Sequence, residues 1–340
     1  MFDIKKEGVI LEPRENEFEN EGVFNPAVIE RDGVVHMFYR AVKRGNFSTI
    51  GYCQLVDNKV VRRFSEPVLF PEHEYENRGL EDPRITLIDG RYHLFYTAYD
   101  GKNARVAYAV SEELPYFQKK GLVTPSFSYE IAGSHLKNND LSMKYRYYEE
   151  QYKEKVGGDV ILWEKDAFLF PEKIDGKYAL VHRILPGIQI VYFNDFEELT
   201  NEAYWIENLS NLSSDIILEP KYWYENSSIG GGCPPIKTEK GWLFIYHATQ
   251  STDSRKVYHA AAALLDLTDP EKVLGRLHNP LFSPEEQYEK LGVINNVVFP
   301  TGTCVDGDKL TIYYGAADKV IAARSLSLSA LVNKLVEVGP

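Results

Sequence analysis

The chain has 340 residues and a formal net charge of −12 at pH 7, with 50 acidic against 38 basic side chains. This acidic excess argues against nucleic acid or an anionic membrane as a partner, because both require basic surfaces. Its three cysteines, Cys53, Cys233 and Cys304, lie far apart in the chain. An odd number at such spacing predicts free thiols in a reducing compartment rather than a disulfide framework.

Residues 1–20 are highly charged, and the sequence lacks an apolar stretch of transmembrane length. We therefore expect a soluble, cytoplasmic protein. Patterns typical of metal sites, such as C-x-x-C and H-E-x-x-H, are also missing from the sequence. We accordingly expect neither a metal nor a cofactor.

One pattern recurs five times in chain order: a turn glycine followed by an apolar, aromatic-rich strand. The glycines are Gly33, Gly90, Gly176, Gly241 and Gly307, at intervals of 57, 86, 65 and 66 residues. A short strand is predicted before each copy, at 26–30, 83–87, 167–171, 234–237 and 301–305. Another strand is predicted after each copy, at 50–55, 104–109, 188–192, 258–265 and 320–324.

Three predicted strands per unit, with a less regular fourth expected, match the four-stranded blade of a β-propeller. Repeats of this size along a whole chain indicate a repeat fold. We therefore predict an all-β, five-bladed β-propeller, a single domain over residues 1–340, with a short C-terminal helix at 326–338. The long second interval contains an insertion at about 124–165. This insertion is either a lid over a central pocket or a plain surface excursion.

The segment 79–84 is the most distinctive place for chemistry. Glu81 and Asp82 stand beside Arg84, and Pro83 fixes the backbone just before a predicted strand. A desolvated carboxylate held there is a candidate general acid, whereas the alternative is an ion-paired turn that caps the strand. Other polar residues interrupt the apolar pattern near the equivalent register of the repeats and predict a polar funnel: Asn25, Arg40, Arg44, Ser48, Tyr99, Asp100, Arg183, His247 and Asp318.

The chain resembles glycoside hydrolase family 130, five-bladed propellers acting on β-mannosides, over nearly its full length. The segments that carry the resemblance include 24–27 (FNPA), 79–84 (GLEDPR), 229–236 (IGGGCPPI), 241–247 (GWLFIYH) and 313–318 (YYGAAD). The resemblance implies inverting cleavage of β-mannosidic bonds in manno-oligosaccharides. It also implies that Asp82 is the catalytic acid and protonates the leaving oxygen through the mannose 3-hydroxyl. The residues implied to line the sugar subsite are Asn25, Arg40, Ser48, Tyr99, Asp100 and Asp318, and we add Arg44 from the same register.

The family contains phosphorylases, which use inorganic phosphate, and hydrolases, which use water. The chain resembles the phosphorylases at Arg183, His247 and Tyr258. It has Ser228, however, where phosphorylases usually carry a basic residue, and Ile184 where they tend to place proline after the arginine. Losing one charged hydrogen bond weakens a phosphate site by about 1.5–3 kcal/mol.

We therefore predict hydrolysis, with Glu225 as the candidate base that activates water. Two alternatives stay open: a β-mannoside phosphorylase that releases mannose 1-phosphate, and a non-catalytic carbohydrate-binding propeller. The expected partner is a small oligosaccharide, and inorganic phosphate is a co-substrate only in the phosphorylase case. The oligomeric state does not follow from the sequence.

Overall fold

A computed structural model describes residues 3–136, 147, 148, 150, 151, 153, 154, 157, 160–252 and 255–340. The described residues are mostly β, with 21 strands in four sheets. Their α-helices are Tyr129–Leu136, Glu202–Ser210, Gln287–Lys290 and Leu328–Val338. None of these helices is long and apolar enough to cross a membrane.

The largest sheet contains β2 (Gly22–Arg31), β3 (Val34–Lys43), β4 (Phe47–Val56), β5 (Lys59–Arg63), β6 (Gly79–Ile88), β7 (Arg91–Tyr99), β8 (Ala104–Ser111) and β9 (Gln118–Leu122). It consists of two antiparallel groups, β2–β5 and β6–β9, joined by one parallel bridge between Ser48 and Gly79. We call these the first and second groups. Each group is a four-stranded meander, as the repeat pattern predicts.

The remaining strands form three sheets, which we call the third, fourth and fifth groups. The third contains β10 (Lys165–Leu169), β11 (Tyr178–Arg183), β12 (Ile188–Phe193) and β13 (Ile216–Leu218). The fourth contains β14 (Ser228–Gly231), β15 (Ile236–Thr238), β16 (Gly241–Ser251), β17 (Lys256–Leu265) and β18 (Val273–Arg276). The fifth contains β19 (Val298–Asp306), β20 (Lys309–Ala316), β21 (Val320–Ser327) and the N-terminal β1 (Lys5–Leu11).

The first strand of each group lies beside a neighbouring group. Strand β2 contacts both β6 and β19, β6 contacts β10, and β10 contacts β14. Strand β19 in turn contacts β16 and β17 of the fourth group. Because β1 pairs with β21, strands from the two ends of the chain share one sheet. These first strands, which we call the inner strands (β2, β6, β10, β14 and β19), thus bring residues that are distant in sequence to one region.

A buried glutamate that follows an aromatic residue occurs once in each group. These glutamates are Glu19, Glu76, Glu164, Glu225 and Glu289, all at most 1% exposed. Each is hydrogen-bonded to a side chain on the strand that lies next to the inner strand of its group (β3, β7, β11, β16 or β20). These partners are Tyr39, Tyr96, His182, Tyr246 and Tyr314, at 2.8, 3.3, 2.6, 2.7 and 2.6 Å. Four of them also pair with a cation: Arg63, Lys119, Arg276 and Arg324. In these four repeats the buried carboxylate has both a hydrogen-bond donor and a counter-charge, as burial of a charge requires, whereas the Glu164 carboxylate bonds only His182 among the described residues and leaves its Oε1 unpaired.

The described part of the insertion is anchored in the core. Phe127, Tyr129 and Ala132 are buried and belong to one apolar cluster with Trp205 and Leu169 of the third group. This part of the insertion packs between the second and third groups. Residues 137–146 of the insertion lie outside the described residues. All three cysteines are free thiols, as predicted.

Candidate active site

The inner strands surround a cavity of about 360 Å³, which is within the usual size range of small-molecule sites. Eight of the predicted site residues line it: Asn25, Arg40, Asp82, Arg183, Ser228, His247, Tyr258 and Asp318. They come from strands of the first four groups and, for Asp318, from the β20–β21 loop of the fifth. The structure therefore brings together the majority of the residues that the sequence singles out.

Three polar side chains enter the cavity from equivalent irregularities in the inner strands. Asn25, Asp82 and Asp166 have positive φ angles of 49°, 51° and 55°. Each lies at a register shift where its strand pairs with the next strand of its group. Such bulges re-aim a side chain, and Asn and Asp tolerate the left-handed region better than other residues with a side chain. The repeat thus places one polar group per inner strand at the cavity in the first three groups.

Asp82 is held by two donors. Its Oδ1 accepts a hydrogen bond from Asn25 Nδ2 at 2.8 Å and lies 3.4 Å from an Arg40 guanidinium nitrogen. Burial raises the pKa of Asp82, but the nearby charges of Arg40, Lys165 and Arg84 outweigh it and lower the pKa below its ordinary value. The Asp82 carboxyl is therefore ionised in the free protein near neutral pH.

Arg40 is fixed by three acceptors. Its Nε donates to Ser48 Oγ at 2.9 Å, and its guanidinium also donates to Glu81 at 2.7 Å. Lys165 Nζ donates to the other Glu81 oxygen at 3.2 Å. Ser48 is fully buried, so it positions Arg40 and does not line the cavity. Ser48, predicted to line the sugar subsite, is not among the residues that line this cavity.

Asp318 is the carboxyl group in this cavity whose protonation is favoured. Burial raises its pKa to about 6, with the negative charges of Asp82 and Glu81 adding to the effect and Arg40 opposing it. Two carboxylates near one another resist simultaneous ionisation. The cavity can therefore hold a proton under mildly acidic conditions.

A second charged cluster lies around Asp166. Its Oδ2 is 3.0 Å from Arg183 Nε, without hydrogen-bond geometry, and 3.8 Å from His247 Nε2. Burial lowers the pKa of His247 to about 3, so its ring is neutral in the physiological range. Neither ring nitrogen of His247 hydrogen-bonds to a described residue. A buried ring with free nitrogens beside an arginine suits a polar ligand.

Gly230 makes this cluster possible. A Cβ atom at this position would lie 2.4 Å from His247 Cε1 and 2.6 Å from Asp166 Oδ2. Both distances are shorter than van der Waals contact allows, so a larger residue would push the two side chains out of place.

The fourth group supplies the remaining wall. Ser228 pairs with Thr249, and Thr249 pairs with Tyr258, so three strands present hydroxyl groups in one row. All three line the cavity together with Lys256. From the insertion, Tyr148 also lines it, and its hydroxyl donates to the Ser227 carbonyl at 2.6 Å. This wall is rich in hydrogen-bond donors, which suits an oxygen-rich ligand.

Three predicted subsite residues lie outside the cavity. Arg44 is exposed, and its backbone N–H donates to Asn20. The hydroxyl of Tyr99 donates to the Gly101 carbonyl, and Asp100 accepts hydrogen bonds from the backbone of the β7–β8 turn. All three lie at strand ends, and the side chains of Tyr99 and Asp100 are occupied by local turn contacts.

The structure places Glu225, the predicted catalytic base, outside the cavity. This residue is one of the five buried structural glutamates; it is fully buried, and its oxygens accept from Tyr246, Arg276 and two backbone N–H groups. A base needs access to water in the cavity, which Glu225 lacks. The aromatic–glutamate pair in every repeat was the sequence signal for its structural role.

The sequence prediction missed Lys165, Asp166 and Lys256 among the cavity residues. Asp166 lacks the following proline that marks Asn25 and Asp82, although a repeat alignment at the inner strand would have found it. Lys256 has no local motif, because its place in the cavity follows from strand pairing.

Comparison with known proteins agrees with this geometry. The model of the family described as beta-1,4-mannooligosaccharide phosphorylase, Glyco_hydro_130, matches residues 5–337. A 1,2-beta-oligomannan phosphorylase of Thermoanaerobacter sp. (strain X514) is 36% identical over 330 residues, covering 94% of this chain and 95% of the relative. A beta-1,2-mannobiose phosphorylase of the same organism is 36% identical over 329 residues, covering 91% of each chain.

The solved structures show the same fold. The beta-1,2-mannobiose phosphorylase from Listeria innocua, in complex with beta-1,2-mannobiose, superposes with a TM-score of 0.73 at 24% identity. The match covers 98% of this chain and 99% of that one. The family match over almost the whole sequence and these relatives lead to one conclusion: the chain belongs to glycoside hydrolase family 130.

Proposed function

We propose that this protein is an inverting β-mannoside phosphorylase that acts on β-1,2-linked manno-oligosaccharides and releases α-mannose 1-phosphate. The observation that carries the proposal is the cationic lining of the cavity. Arg40, Lys165, Arg183 and Lys256 all line it, together with neutral His247. A phosphate dianion needs several such donors, whereas water needs none.

Hydrolysis, expected from Ser228, is less well supported. Glu225 is buried away from the cavity, and the charge of Asp166 is balanced by Arg183, 3.0 Å away. The two relatives with the highest identities given above are both phosphorylases by name. Their names also favour the β-1,2 linkage over β-1,4.

In the proposed reaction, phosphate attacks the sugar while Asp82 protonates the leaving group. A phosphate oxygen bonds to the anomeric carbon while the bond to the leaving oxygen breaks, and the electron pair stays on that oxygen. Asp82 supplies the proton that the leaving oxygen takes up, directly or through the mannose 3-hydroxyl. Hydrogenphosphate has a proton to return to Asp82, so the net reaction of glycoside and hydrogenphosphate gives mannose 1-phosphate and an alcohol.

Asp82 must be protonated to act as an acid, although nearby cations lower its pKa in the free protein. A bound phosphate dianion opposes those cations and shifts the Asp82 pKa upward. Phosphate therefore acts as the nucleophile and also prepares the acid. Asn25, Arg40 and Asp318 bind the sugar beside Asp82 in this proposal.

The finer architecture is part of the proposal. The five groups are the blades of a five-bladed β-propeller formed by a single domain over residues 1–340, with the inner strands around its axis. The succession of contacts between inner strands and the pairing of β1 with β21 support it. The reaction requires only an oligosaccharide and inorganic phosphate, without a metal or other cofactor.

The proposal is tested by product analysis. Purified protein is incubated with β-1,2-mannobiose, with and without inorganic phosphate, and followed by ¹H and ³¹P NMR. Phosphate-dependent α-mannose 1-phosphate is expected, with β-1,4-mannobiose turned over more slowly. Free mannose formed at equal rates in both buffers would show a hydrolase instead, and binding of mannobiose without turnover would favour the carbohydrate-binding alternative.

A further inference from the structure

Lys256 differs from the other cationic residues of the cavity in its electrostatic surroundings. Arg40 is paired with Glu81 and Asp82, Lys165 with Glu81, and Arg183 with Asp166. Lys256 forms no ion pair with any residue that the structure describes. Its charge is therefore not already neutralised by a protein carboxylate.

The position of Lys256 follows from strand pairing. It pairs with Ser251 at the start of β17, two residues before Tyr258. Residues two apart in a strand point to the same face, and Lys256 and Tyr258 both line the cavity. Ser228 lies on the second strand over, roughly 10 Å across the sheet and 7 Å along it from Lys256. The uncharged Ser228 and the lysine therefore belong to the same wall.

We propose that Lys256 is a phosphate-binding residue and supplies the positive charge that Ser228 does not bring to this wall. Its ammonium offers three donors to an anion. The paired cations Lys165 and Arg183 shape the cavity, while Lys256 balances the charge of the incoming dianion. The lysine thus determines how well this protein uses phosphate. This inference rests on the proposed phosphorylase function.

Lys237, which lies far from the cavity in the same group, is a matched control. It lies on β15 of the same group, is paired with Glu172 and does not line the cavity. Its removal changes the net charge of the protein by the same amount as removal of Lys256. A difference between the two variants therefore reports on position rather than on total charge.

The experiment measures phosphorolysis of β-1,2-mannobiose by the wild type, Lys256→Met, Lys256→Arg and Lys237→Met. We expect Lys256→Met to raise the KM for phosphate about tenfold, the factor that corresponds to about 1.4 kcal/mol. The KM for mannobiose should stay within about twofold, and Lys256→Arg and Lys237→Met should resemble the wild type. Because Lys256 is exposed, its effect should shrink as the salt concentration rises.

A second experiment transfers the positive charge from position 256 to position 228. Ser228→Lys in the Lys256→Met background should lower the KM for phosphate again, and phosphate titration by calorimetry should give the same order of affinities. An unchanged phosphate KM in Lys256→Met would overturn the inference while leaving the phosphorylase function intact. Wild-type turnover that is independent of phosphate would instead overturn the proposed function, and the inference with it.

Discussion

Glu225→Ala tests whether Glu225 is structural. Its Oε2 accepts backbone hydrogen bonds from Lys221 and Tyr222 at 2.8 and 3.0 Å. Its Oε1 accepts from the Tyr246 hydroxyl at 2.7 Å, and Arg276 lies 2.9 Å from both oxygens. The alanine variant leaves the buried Arg276 guanidinium without its counter-charge. Removing one partner of a buried ion pair lowers the free energy of unfolding by about 3–5 kcal/mol.

The assay combines stability with turnover. The shift of the unfolding midpoint per kcal/mol of lost stability is smaller for longer chains, and about 2 °C per kcal/mol applies to a chain of this length. We therefore expect the apparent midpoint to fall by roughly 6–10 °C at a fixed scan rate. Turnover at 25 °C should stay within about threefold of the wild type, because Glu225 does not line the cavity. Glu289→Ala is the control, since Glu289 has the same pairing with Arg324 and Tyr314 in the fifth group.

The two variants should therefore fall together in stability and keep their activity. A hundredfold loss of kcat in Glu225→Ala, with an unchanged midpoint and a fully active Glu289→Ala, would refute a purely structural role for Glu225. Such a result would indicate that Glu225 takes part in catalysis.

Three further predictions concern the cavity. Asp82→Asn should lower turnover by about 10²–10⁴-fold, as loss of a general acid does, while calorimetry should still detect mannobiose binding; near-normal turnover would exclude Asp82 as the acid. Asp166→Asn should raise the KM for phosphate more than that for mannobiose, because Arg183 loses the carboxylate that orients it; equal changes in steady-state kinetics would contradict this. Asp318, whose pKa is raised from 3.8 to about 6, binds more protons in the folded state between these values, so stability should fall as pH rises through this window. Asp318→Asn should lack this loss when midpoints are measured from pH 4 to 7.

The sequence determined the repeat and pointed to Asp82 as the proposed acid. Turn glycines such as Gly33 and Gly90 are local signals, because glycine adopts positive φ without the steric cost that other residues have. The predicted strands at 83–87 and 104–109 lie within β6 and β8. Asp82 was also identifiable, since its neighbours Glu81, Pro83 and Arg84 form a compact motif. Each of these signals lies within a few residues of the feature that it predicts.

The tertiary structure decided which polar residues meet. Tyr99 and Asp100 resemble cavity residues in sequence, but their side chains satisfy their own turn. Glu225 lies near the altered phosphate region in sequence, yet it accepts hydrogen bonds from Arg276 and Tyr246 in the core. A short motif predicts the local backbone conformation. The direction of a side chain and its contacts depend on the neighbouring strands, which the motif does not specify.

Lys256 is a cavity residue that its neighbours in the sequence do not reveal. No residue next to it in sequence marks it as part of a site, and it enters the cavity because β17 pairs with β16 and β16 with β14. This pairing places it on one wall with Ser228, which is 28 residues earlier in the chain. The sequence alone determined the repeats and the family, and it singled out Asp82 as a cavity residue. Only the packing of the five groups decided which charges are neutralised by protein partners and which face the cavity.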